Sequence, residues 1–508
     1  MRSIWTKAAP LAGVCVTLFS ANASPRPKLI LIGKSTHTDG NYNYDIEGRL
    51  GVHIAKGNAA RVAFGTNAIG NGYQVYVWTR ATGCVTEVPP ISYDEFNICT
   101  PDERDKQLLG GISSEGDYIV GTSEGEQSNA GAFRWEFGDA NADDLAVSPS
   151  LWNERAVGVS VTGSSVAMGG DSLDGCGAGT WIASKFNPGI PSESIMNKSV
   201  WNCDTTPAAW VIPTASNYDI STIAGTASVY TCCLTVPDFC IPTGYAWRWD
   251  VGSNPEAIKL DTEYVPGFAL GVSTTGDAVV GAFVVENPLG PMFYSVRYVA
   301  FRATGGGNVG EILMDIPIDV SGIGGCYTND YGLNSCISSY AADSNDDWIV
   351  GEVSWNAVAW IGENADPVNL NERFACLKPA NLVLLSATSI SNDGRFVAGH
   401  ARYTSESQTW AWVVDQGSCP ADFNEDGFVD DTDFIDFFLP AYNLTECSPC
   451  TATCEGSECM KPGINDCTIF SDSPYEACMG DLNWDGIVGD ADFVIFSAAY
   501  ALLECPTD

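Results

Sequence analysis

The sequence has few basic residues and very few histidines. Against 63 Asp and Glu it has only 24 Lys and Arg, which gives a formal net charge of -39. An acidic surface of this kind repels the phosphate backbone of nucleic acids, so we expect no nucleic-acid partner. The three histidines, His37, His53 and His400, are isolated from one another in the sequence. They form no catalytic or metal-binding motif.

Long apolar runs are missing beyond the N-terminus, because no later segment reaches the ~18 residues that a membrane-spanning helix requires. The exception follows Arg2 and Lys7, where apolar residues 8–19 precede the small-x-small site Ala21-Asn22-Ala23. This pattern is typical of a secretory signal peptide over residues 1–23. A lipoprotein anchor at Cys15 is the alternative, which the bulky Val14 disfavours. We therefore expect a chain that is secreted or held at the cell surface and does not span the membrane.

Helical periodicity is scarce before residue 420, and a strand-turn-strand motif recurs there instead. It reads as an apolar strand, a polar turn and a second apolar strand that ends in glycine. The six copies end at Gly121, Gly169, Gly225, Gly281, Gly351 and Gly399. Successive glycines are therefore 48, 56, 56, 70 and 48 residues apart. Repeats of ~40 to 50 residues with several short strands are typical of β-propeller blades.

Each copy is followed by an aromatic strand, and several are followed by a fourth strand. The aromatic strands are residues 132–135, 179–182, 245–249, 299–302, 358–361 and 410–413. The fourth strands include residues 257–260, 311–314 and 367–370. A seventh unit is predicted from residues 60–65 and 75–79, and the inserts 188–206 and 316–338 are expected to be surface loops. The sequence thus predicts an all-β propeller of about seven four-stranded blades over residues 24–417.

The aromatic strand Ala132-Phe133-Arg134-Trp135 and the Ile-Ser-x-x-Gly turn resemble the extracellular HAF repeat family over roughly residues 40–415. The resemblance implies a secreted β-repeat architecture and no particular biochemistry.

The cysteine count agrees with an extracellular location. Removal of Cys15 with the signal peptide would leave 18 of the 19 cysteines, an even number, as a disulfide framework requires. Several are close in sequence, including Cys326 with Cys336 and the group Cys232, Cys233 and Cys240. A zinc site is the alternative, but the few histidines lie far from the cysteine clusters. Disulfides are therefore the favoured interpretation.

After residue 417 the chain changes to ligand-spaced oxygen residues. Asp422, Asn424, Asp426, Asp430 and Asp433 occupy positions 1, 3, 5, 9 and 12 of an EF-hand-type loop. Gly427 stands at position 6, where the loop turns sharply, and Phe428 at position 7 would contribute its carbonyl. This spacing predicts a Ca²⁺ site.

A second loop begins 59 residues later and repeats the pattern. Its predicted ligands are Asp481, Asn483, Asp485, the carbonyl of Ile487, and Asp492. Gly489 replaces the carboxylate at position 9, so water would have to fill that place. We therefore predict two Ca²⁺ sites, of which the first binds more tightly.

Each loop runs into a helix with aromatic residues on one face. The aromatic residues are Phe434, Phe437, Phe438 and Tyr442 in the first helix and Phe493, Phe496 and Tyr500 in the second. We expect the two stripes to pack against each other, with partner binding as the alternative. Cysteines frame both units alike, which predicts the disulfides Cys419 to Cys447 and Cys478 to Cys505, on either side of a Cys-rich insert at 448–477.

These paired loop-helix units, with Asp at position 12, resemble a type I dockerin module over residues 419–505. The resemblance implies a small α-helical, calcium-dependent domain at 418–508 that docks into a cohesin-like partner or another cell-surface component. It also implies an association with polysaccharide-degrading proteins.

Two functions are compatible with this sequence. The favoured one is a secreted calcium-binding protein whose propeller binds a ligand such as a polysaccharide, or acts as a scaffold, and whose tail attaches it to a partner. The alternative is a carbohydrate-active enzyme, a glycoside hydrolase or lyase, targeted by its tail. Residues 121–125 match the nucleophile pattern Gly-x-Ser-x-Gly, but a loop follows where a helix is needed, and the repeat already explains Gly121. Trp135 and Trp247 could stack on sugars, although one aromatic per unit favours a role in the core.

Overall fold

The computed structural model describes most of the repeat region and parts of the tail. The described residues are 28–35, 51–57, 60–68, 72–89, 106–124, 131–145, 151–172, 178–184, 193–194, 210–232, 240–261, 263, 265–286, 296–305, 309–313, 326–328, 334–337, 339–345, 347–361, 367–379, 381–406, 409–416, 421, 429–439, 442, 489–490, 493–494, 496–497 and 500. The predicted signal peptide lies outside them.

Short strands dominate the described residues. In chain order they are β1 (Lys28–Ser35), β2 (Val52–Ile54), β3 (Arg61–Ala68), β4 (Gly72–Thr79), β5 (Cys84–Glu87), β6 (Lys106–Ile112), β7 (Tyr118–Glu124), β8 (Gly131–Glu136), β9 (Asp143–Asp144), β10 (Leu151–Val159), β11 (Ser165–Ser172), β12 (Ala178–Ser184), β13 (Glu193–Ser194), β14 (Trp210–Ser216), β15 (Thr222–Cys232), β16 (Cys240–Asp250), β17 (Glu256–Ala257), β18 (Lys259–Leu260), β19 (Gly267–Val272), β20 (Val279–Glu286), β21 (Val296–Ala303), β22 (Val309–Ile312), β23 (Cys326–Thr328), β24 (Asn334–Ile337), β25 (Ser339–Ser344), β26 (Trp348–Val353), β27 (Asn356–Ile361), β28 (Pro367–Asn369), β29 (Leu382–Ile390), β30 (Phe396–Tyr403) and β31 (Thr409–Asp415).

Helical segments are few among the described residues. Helix α1 (Leu370–Arg373) follows β28, and the Asn369 side chain caps it by accepting the N–H of Asn371 at 2.9 Å. A 3₁₀ turn covers Ala375–Leu377, and a π-helical turn covers Asp433–Phe438 in the tail. The described helical residues of the tail are 431–439 and 442, called the first tail helix, and 490, 493–494, 496–497 and 500, called the second.

The described strands form a β-propeller of six hydrogen-bonded sheets, so the prediction of about seven separate blades is wrong by this count. The reason lies in the eight-stranded sheet, where β10–β13 and β14–β17 each repeat the four-stranded unit. A single parallel pairing, Ala178 with Trp210, joins β12 to β14 and places both units in one sheet. The insert at 316–338 also differs from the predicted loop, because it contains the strands β23 and β24, of which β24 pairs with β21.

The Ser-x-x-Gly motif forms the turn between the first and second strands of a unit. In the turn at 113–118, the N–H of Gly116 donates to the Ser113 carbonyl at 2.9 Å. The Ser113 Oγ accepts the N–H of Tyr118 at 3.0 Å. Gly116 has a φ of +80°, which glycine adopts without steric cost. A short hydroxyl at the first position and glycine at the fourth therefore suit the same turn in copy after copy.

The terminal glycine of the motif lies against the first strand. That strand bulges between Leu109 and Gly111. A Cβ added at Gly121 would lie only 2.0 Å from the Leu108 carbonyl oxygen, so a side chain has no room there. The same clash, at 1.9 Å from the Ser386 carbonyl oxygen, arises at Gly399. Close packing of two backbones explains why the motif ends in glycine.

The apolar core lies between neighbouring sheets. One cluster joins Val75 and Val77 of β4 to Phe133 and Trp135 of β8, and all four side chains are buried. Arginines of the aromatic strands add polar links between units. Arg134 Nη1 donates to the Gly163 carbonyl of the next turn at 2.7 Å. Neighbouring units are therefore joined both by apolar packing and by hydrogen bonds.

The N-terminal strand closes the ring. Strand β1 pairs antiparallel with β31 from Lys28 opposite Asp415 to Ser35 opposite Thr409, and so becomes the outermost strand of the last sheet. Its side chains are buried on both faces, with Leu31 exposed by only 2%. The sequence repeat, which begins near residue 40, did not predict this strand.

Candidate functional site

A small cavity lies on the propeller axis, where the first strands of the repeat units converge. Its walls come from the C-terminal ends of β2, β6, β10, β14, β19, β25 and β29. The lining is a mixture of backbone, apolar and small polar side chains, among them His53, Ser216, Asp343 and Ser389. Bulges with glycine, as at Gly111 and Gly271, bring the strand backbones close around this axis.

The volume of the cavity decides what it can hold. It measures about 80 Å³. Since one buried water needs roughly 10–15 Å³ of such space, the cavity has room for a handful of water molecules. Pockets for organic ligands are typically about 300–1,000 Å³. The axial cavity is therefore too small for a sugar unit. It gives no site for the polysaccharide ligand that the sequence suggested.

An ion pair crosses the axis beside this cavity. Lys56 follows β2, yet its Nζ lies 2.6 Å from Asp343 Oδ1 at the end of β25. It also donates to the carbonyl oxygens of Val272 at 3.1 Å and Ser344 at 3.3 Å. The three protons of the ammonium group thus have three acceptors.

The carboxylate of Asp343 is equally well satisfied. Oδ1 also accepts the N–H of Ser344 at 2.9 Å, while Oδ2 accepts the Ser389 hydroxyl at 3.2 Å and the N–H of Ile390 at 3.1 Å. A partly buried pair with this number of hydrogen bonds constrains how β2, β19, β25 and β29 meet. We infer a structural role for Lys56 and Asp343.

The residues considered for catalysis or sugar stacking lie in the core. Ser123 of the Gly-x-Ser-x-Gly match is fully buried within β7, so the pattern belongs to the repeat and forms no nucleophile elbow. Trp135 and Trp247 are exposed by 2% and 3%, which confirms their expected role in the core. His400 is buried in β30, and His37 lies outside the described residues.

Two of the predicted calcium ligands are described in the tail. Asp433 begins the π-helical turn, and its side chain is fully buried. Its Oδ2 accepts the N–H of Asp430 at 3.0 Å, while Asp430 Oδ1 accepts the N–H of Thr432 at 2.8 Å. Burial of a carboxylate is costly unless it is paired, hydrogen-bonded or bound to a metal. The chemistry of Asp430 and Asp433 therefore fits a Ca²⁺ loop whose last carboxylate is shielded from water.

The other predicted ligands and cysteines lie outside the described residues. The ligands are Asp422, Asn424, Asp426, Phe428, Asp481, Asn483, Asp485, Ile487 and Asp492. The cysteines are Cys419, Cys447, Cys478 and Cys505. Among the residues that are described, no group of three or more His, Cys, Asp or Glu is arranged to hold a metal ion. The two-site calcium prediction and both tail disulfides remain predictions.

The aromatic stripes of the two tail helices pack against each other, as expected. The rings of Phe438 and Phe496 stack with centroids 4.9 Å apart. Phe434 contacts Phe493 at 6.2 Å and Phe496 at 5.6 Å. Phe438 and Phe496 are almost fully buried, at 1% and 2% exposed, so they form the small core of the module.

Polar contacts cross between the same two units, and the sequence did not predict them. The Tyr442 hydroxyl of the first helix donates to Asp490 Oδ1, at the start of the second, at 2.5 Å. Reciprocally, the Tyr500 hydroxyl donates to Asp431 Oδ1 at 2.7 Å. The hydrogen bond to Asp490 raises the pKa of Tyr442, and the hydrogen bond to Asp431 raises the pKa of Tyr500. Both tyrosines are therefore held in their neutral, donating form.

Apolar side chains remain exposed beside this aromatic core. Ile435 is 57% exposed and Val494 is 66% exposed, and both follow the first helical phenylalanine of their unit. Phe493 and Leu439 are also exposed, at 44% and 38%. Exposed apolar groups on so small a module are typical of contact surfaces.

Comparisons with known proteins find partial structural similarity and no family. No protein-family model and no curated protein matches the sequence. The chain is structurally similar to polysaccharide lyase Uly1, with 9% identity and a TM-score of 0.41 over 78% of this chain and all (100%) of the lyase. It is similar to the Dos1 propeller, with 10% identity and a TM-score of 0.36 over 78% of this chain and 96% of that one.

A third similar structure is an acylaminoacyl peptidase from Pyrococcus horikoshii, with 12% identity and a TM-score of 0.38 over 68% of this chain. The chain spans about half of that peptidase, 48% of its length. At these identities and scores, none of the three structures supports an activity, substrate or partner for this protein. Within the described residues, no helix has the length and apolar character to cross a membrane.

Proposed function

We propose that this protein is a secreted calcium-binding protein in which the β-propeller is a binding or scaffold domain and the tail is a calcium-dependent attachment module. The observation that carries the proposal is the fully buried carboxylate of Asp433. It stands at position 12 of the first calcium-spaced loop and at the start of a helix that packs on the second unit. In loops of this spacing, the side chain at position 12 is a Ca²⁺ ligand.

The attachment role is supported by the exposed apolar residues Ile435, Leu439, Phe493 and Val494. They lie on the helices whose starts the ions would fix, so ion binding and surface formation would go together. A cohesin-like or other cell-surface protein is the partner that we propose for this surface. The small axial cavity leaves polysaccharide binding to the outer surfaces of the propeller.

The disulfide framework of a secreted protein is supported by the strand register. Cys232 lies opposite Cys240 in the β15–β16 ladder, and Cys326 lies opposite Cys336 in the β23–β24 ladder. Opposed residues of antiparallel strands have Cα atoms about 4.5 or 5.5 Å apart, within the range of about 4.4–6.8 Å that disulfides require. We therefore pair these four cysteines, which leaves Cys233 to another partner.

Calcium titration of the full chain after treatment with a chelator tests the proposal. We expect two Ca²⁺ ions per chain and a tail that unfolds at higher temperature when they are bound. At a free concentration of about 100 times Kd, the ion would stabilise its site by about 2.7 kcal/mol. The Asp433→Asn variant should bind one ion fewer, and the further change Asp492→Asn should remove the second. A chain that binds no calcium would refute the proposal.

The binding role is tested by pull-down from an extracellular fraction, with and without chelator, and by incubation with polysaccharides. Capture of a cell-surface protein that is lost on chelation is the expected result. Retention on a polysaccharide without release of sugar would also fit a binding domain, whereas release of soluble sugar would show the enzyme alternative to be right.

A further inference from the structure

Each tail helix carries an aspartate and a tyrosine that contact the other helix. The spacing between these two residues differs by one residue in the two helices. Asp431 and Tyr442 are 11 positions apart, whereas Asp490 and Tyr500 are 10 positions apart. The π-helical turn at Asp433–Phe438 absorbs the extra residue, because a π turn contains one residue more than an α turn. The two helices therefore present matching groups despite their different lengths.

Three successive pairs of residues match between the two tail helices. Phe438 lies against Phe496 at the centre of the aromatic stack. Next along each helix, Phe438 contacts Tyr442 at 5.9 Å and Phe496 contacts Tyr500 at 6.1 Å. Each tyrosine hydroxyl then reaches the aspartate at the start of the opposite helix. A regular α-helix in the first unit would rotate Tyr442 by about 100° and break this arrangement.

We propose that Tyr442 is a positioning residue for the second calcium loop and Tyr500 a positioning residue for the first. The inference rests on the proposed calcium function. Asp490 and Asp431 stand two residues before the last predicted ligands of their loops, Asp492 and Asp433. A hydrogen bond to either aspartate therefore fixes the helix start that carries the final carboxylate.

The same contacts give the two sites a means of communication. An ion in the first loop orders the first helix, whose far end holds Tyr442 against the start of the second helix. An ion in the second loop acts on the first in the same way through Tyr500. Groups that orient metal ligands from outside the coordination sphere typically change metal affinity by about 10–100-fold when they are removed. Loss of one tyrosine hydroxyl should lie at the lower end of that range.

The test uses the full chain, stripped of metal with a chelator and titrated with Ca²⁺ in a calorimeter. Asp433→Asn is introduced to leave the second loop alone, and Asp492→Asn to leave the first. In the Asp433→Asn background, Tyr442→Phe should weaken the remaining site about tenfold, whereas Tyr500→Phe should change it less than about twofold. In the Asp492→Asn background the two tyrosine variants should exchange roles.

Phenylalanine keeps the aromatic packing, so these variants should fold, and their melting temperature with saturating Ca²⁺ checks this. Tyr218→Phe, at a 41% exposed tyrosine of the propeller, is the control and should leave both affinities unchanged.

The outcomes separate the two proposals. Calcium binding that is insensitive to both tyrosines, or that responds to the tyrosine of the same unit, would overturn the crossed roles and leave the calcium function standing. Failure of the unmodified chain to bind Ca²⁺ would overturn both.

Discussion

The propeller and the tail join their repeated units by different means. In the propeller, neighbouring units meet backbone to backbone, as at Gly271 against Ala342, or through an ion pair such as that of Lys56 and Asp343. In the tail, two units meet through an aromatic stack and two exposed Tyr-Asp hydrogen bonds, beside a buried carboxylate. The comparison indicates that the ring carries its stability in contacts between its own units. Under the proposed function, the tail would depend in addition on bound Ca²⁺.

The largest expected effect comes from opening the ring at β1. Leu31→Asp places a charge at a buried position between β1 and the core of the last sheet, and should reduce the free energy of unfolding of the propeller by about 4 kcal/mol or more. Urea unfolding measures it. Lys34→Ala in the same strand removes only a cation-π contact with Trp410 and should cost less than about 1 kcal/mol. Equal losses would contradict the closing role of β1.

A smaller effect is expected where two backbones touch. Gly121→Ala forces a methyl group against the Leu108 carbonyl and should destabilise the propeller by about 3 kcal/mol. Gly131→Ala in the same unit is the matched control, because its nearest atom, Asp144 Oδ1, is 3.9 Å away. Thermal unfolding of both variants checks the prediction, which fails if the two melt together.

Breaking the ion pair of Lys56 with Asp343 should reduce the free energy of unfolding by less than Gly121→Ala does. Asp343→Asn places an amide among groups that donate hydrogen bonds to the carboxylate. It should reduce the free energy of unfolding by about 2 kcal/mol. This is less than for a fully buried pair, because Lys56 is partly exposed. Asp117→Asn breaks an ion pair with Arg61 whose carboxylate is 57% exposed, and should cost less than about 1 kcal/mol. Denaturant midpoints at low and high salt compare the two.

The smallest effect is an alkaline loss of stability in the propeller. Burial and the neighbouring Glu352 raise the pKa of Tyr340 well above the ordinary value of 10.0, and its hydroxyl donates to Glu352 Oε2 at 2.8 Å. The unfolded chain then releases this proton first, so stability is intact below pH 10 and falls above it, by at most about 1.4 kcal/mol per pH unit. Tyr340→Phe should flatten that part of the pH profile. An unchanged slope would assign the loss to other groups.

The sequence predicted local features better than contacts between distant segments. The Ser-x-x-Gly turns, the terminal glycines and the buried Trp135 and Trp247 follow from short motifs, because each depends on a hairpin or one sheet face. Two contacts join segments that are hundreds of residues apart: the pairing of β1 with β31 and the ion pair of Lys56 with Asp343. No local sequence pattern predicts them. The pairing of β12 with β14, which reduces the sheet count to six, was missed for the same reason.

A degenerate copy shows how far a repeat can depart from its pattern. Ile220 takes the place of the turn glycine and adopts a φ of +62°, which β-branched residues rarely do. Its side chain is only 2% exposed, so burial offsets the backbone strain. In the tail, the spacing of aromatic residues predicted the stacked core, but the π turn and the crossed tyrosines depend on how two helices meet in space.

The position of β1 also sets the order in which the molecule can mature. This strand emerges first from the ribosome, yet its partner β31 follows only after more than 370 further residues have been made, since residue 35 pairs with residue 409. Such distant pairings form slowly, and an unpaired apolar strand invites aggregation meanwhile. The apolar strand β1 therefore has to be kept from association with other chains until β31 has been made.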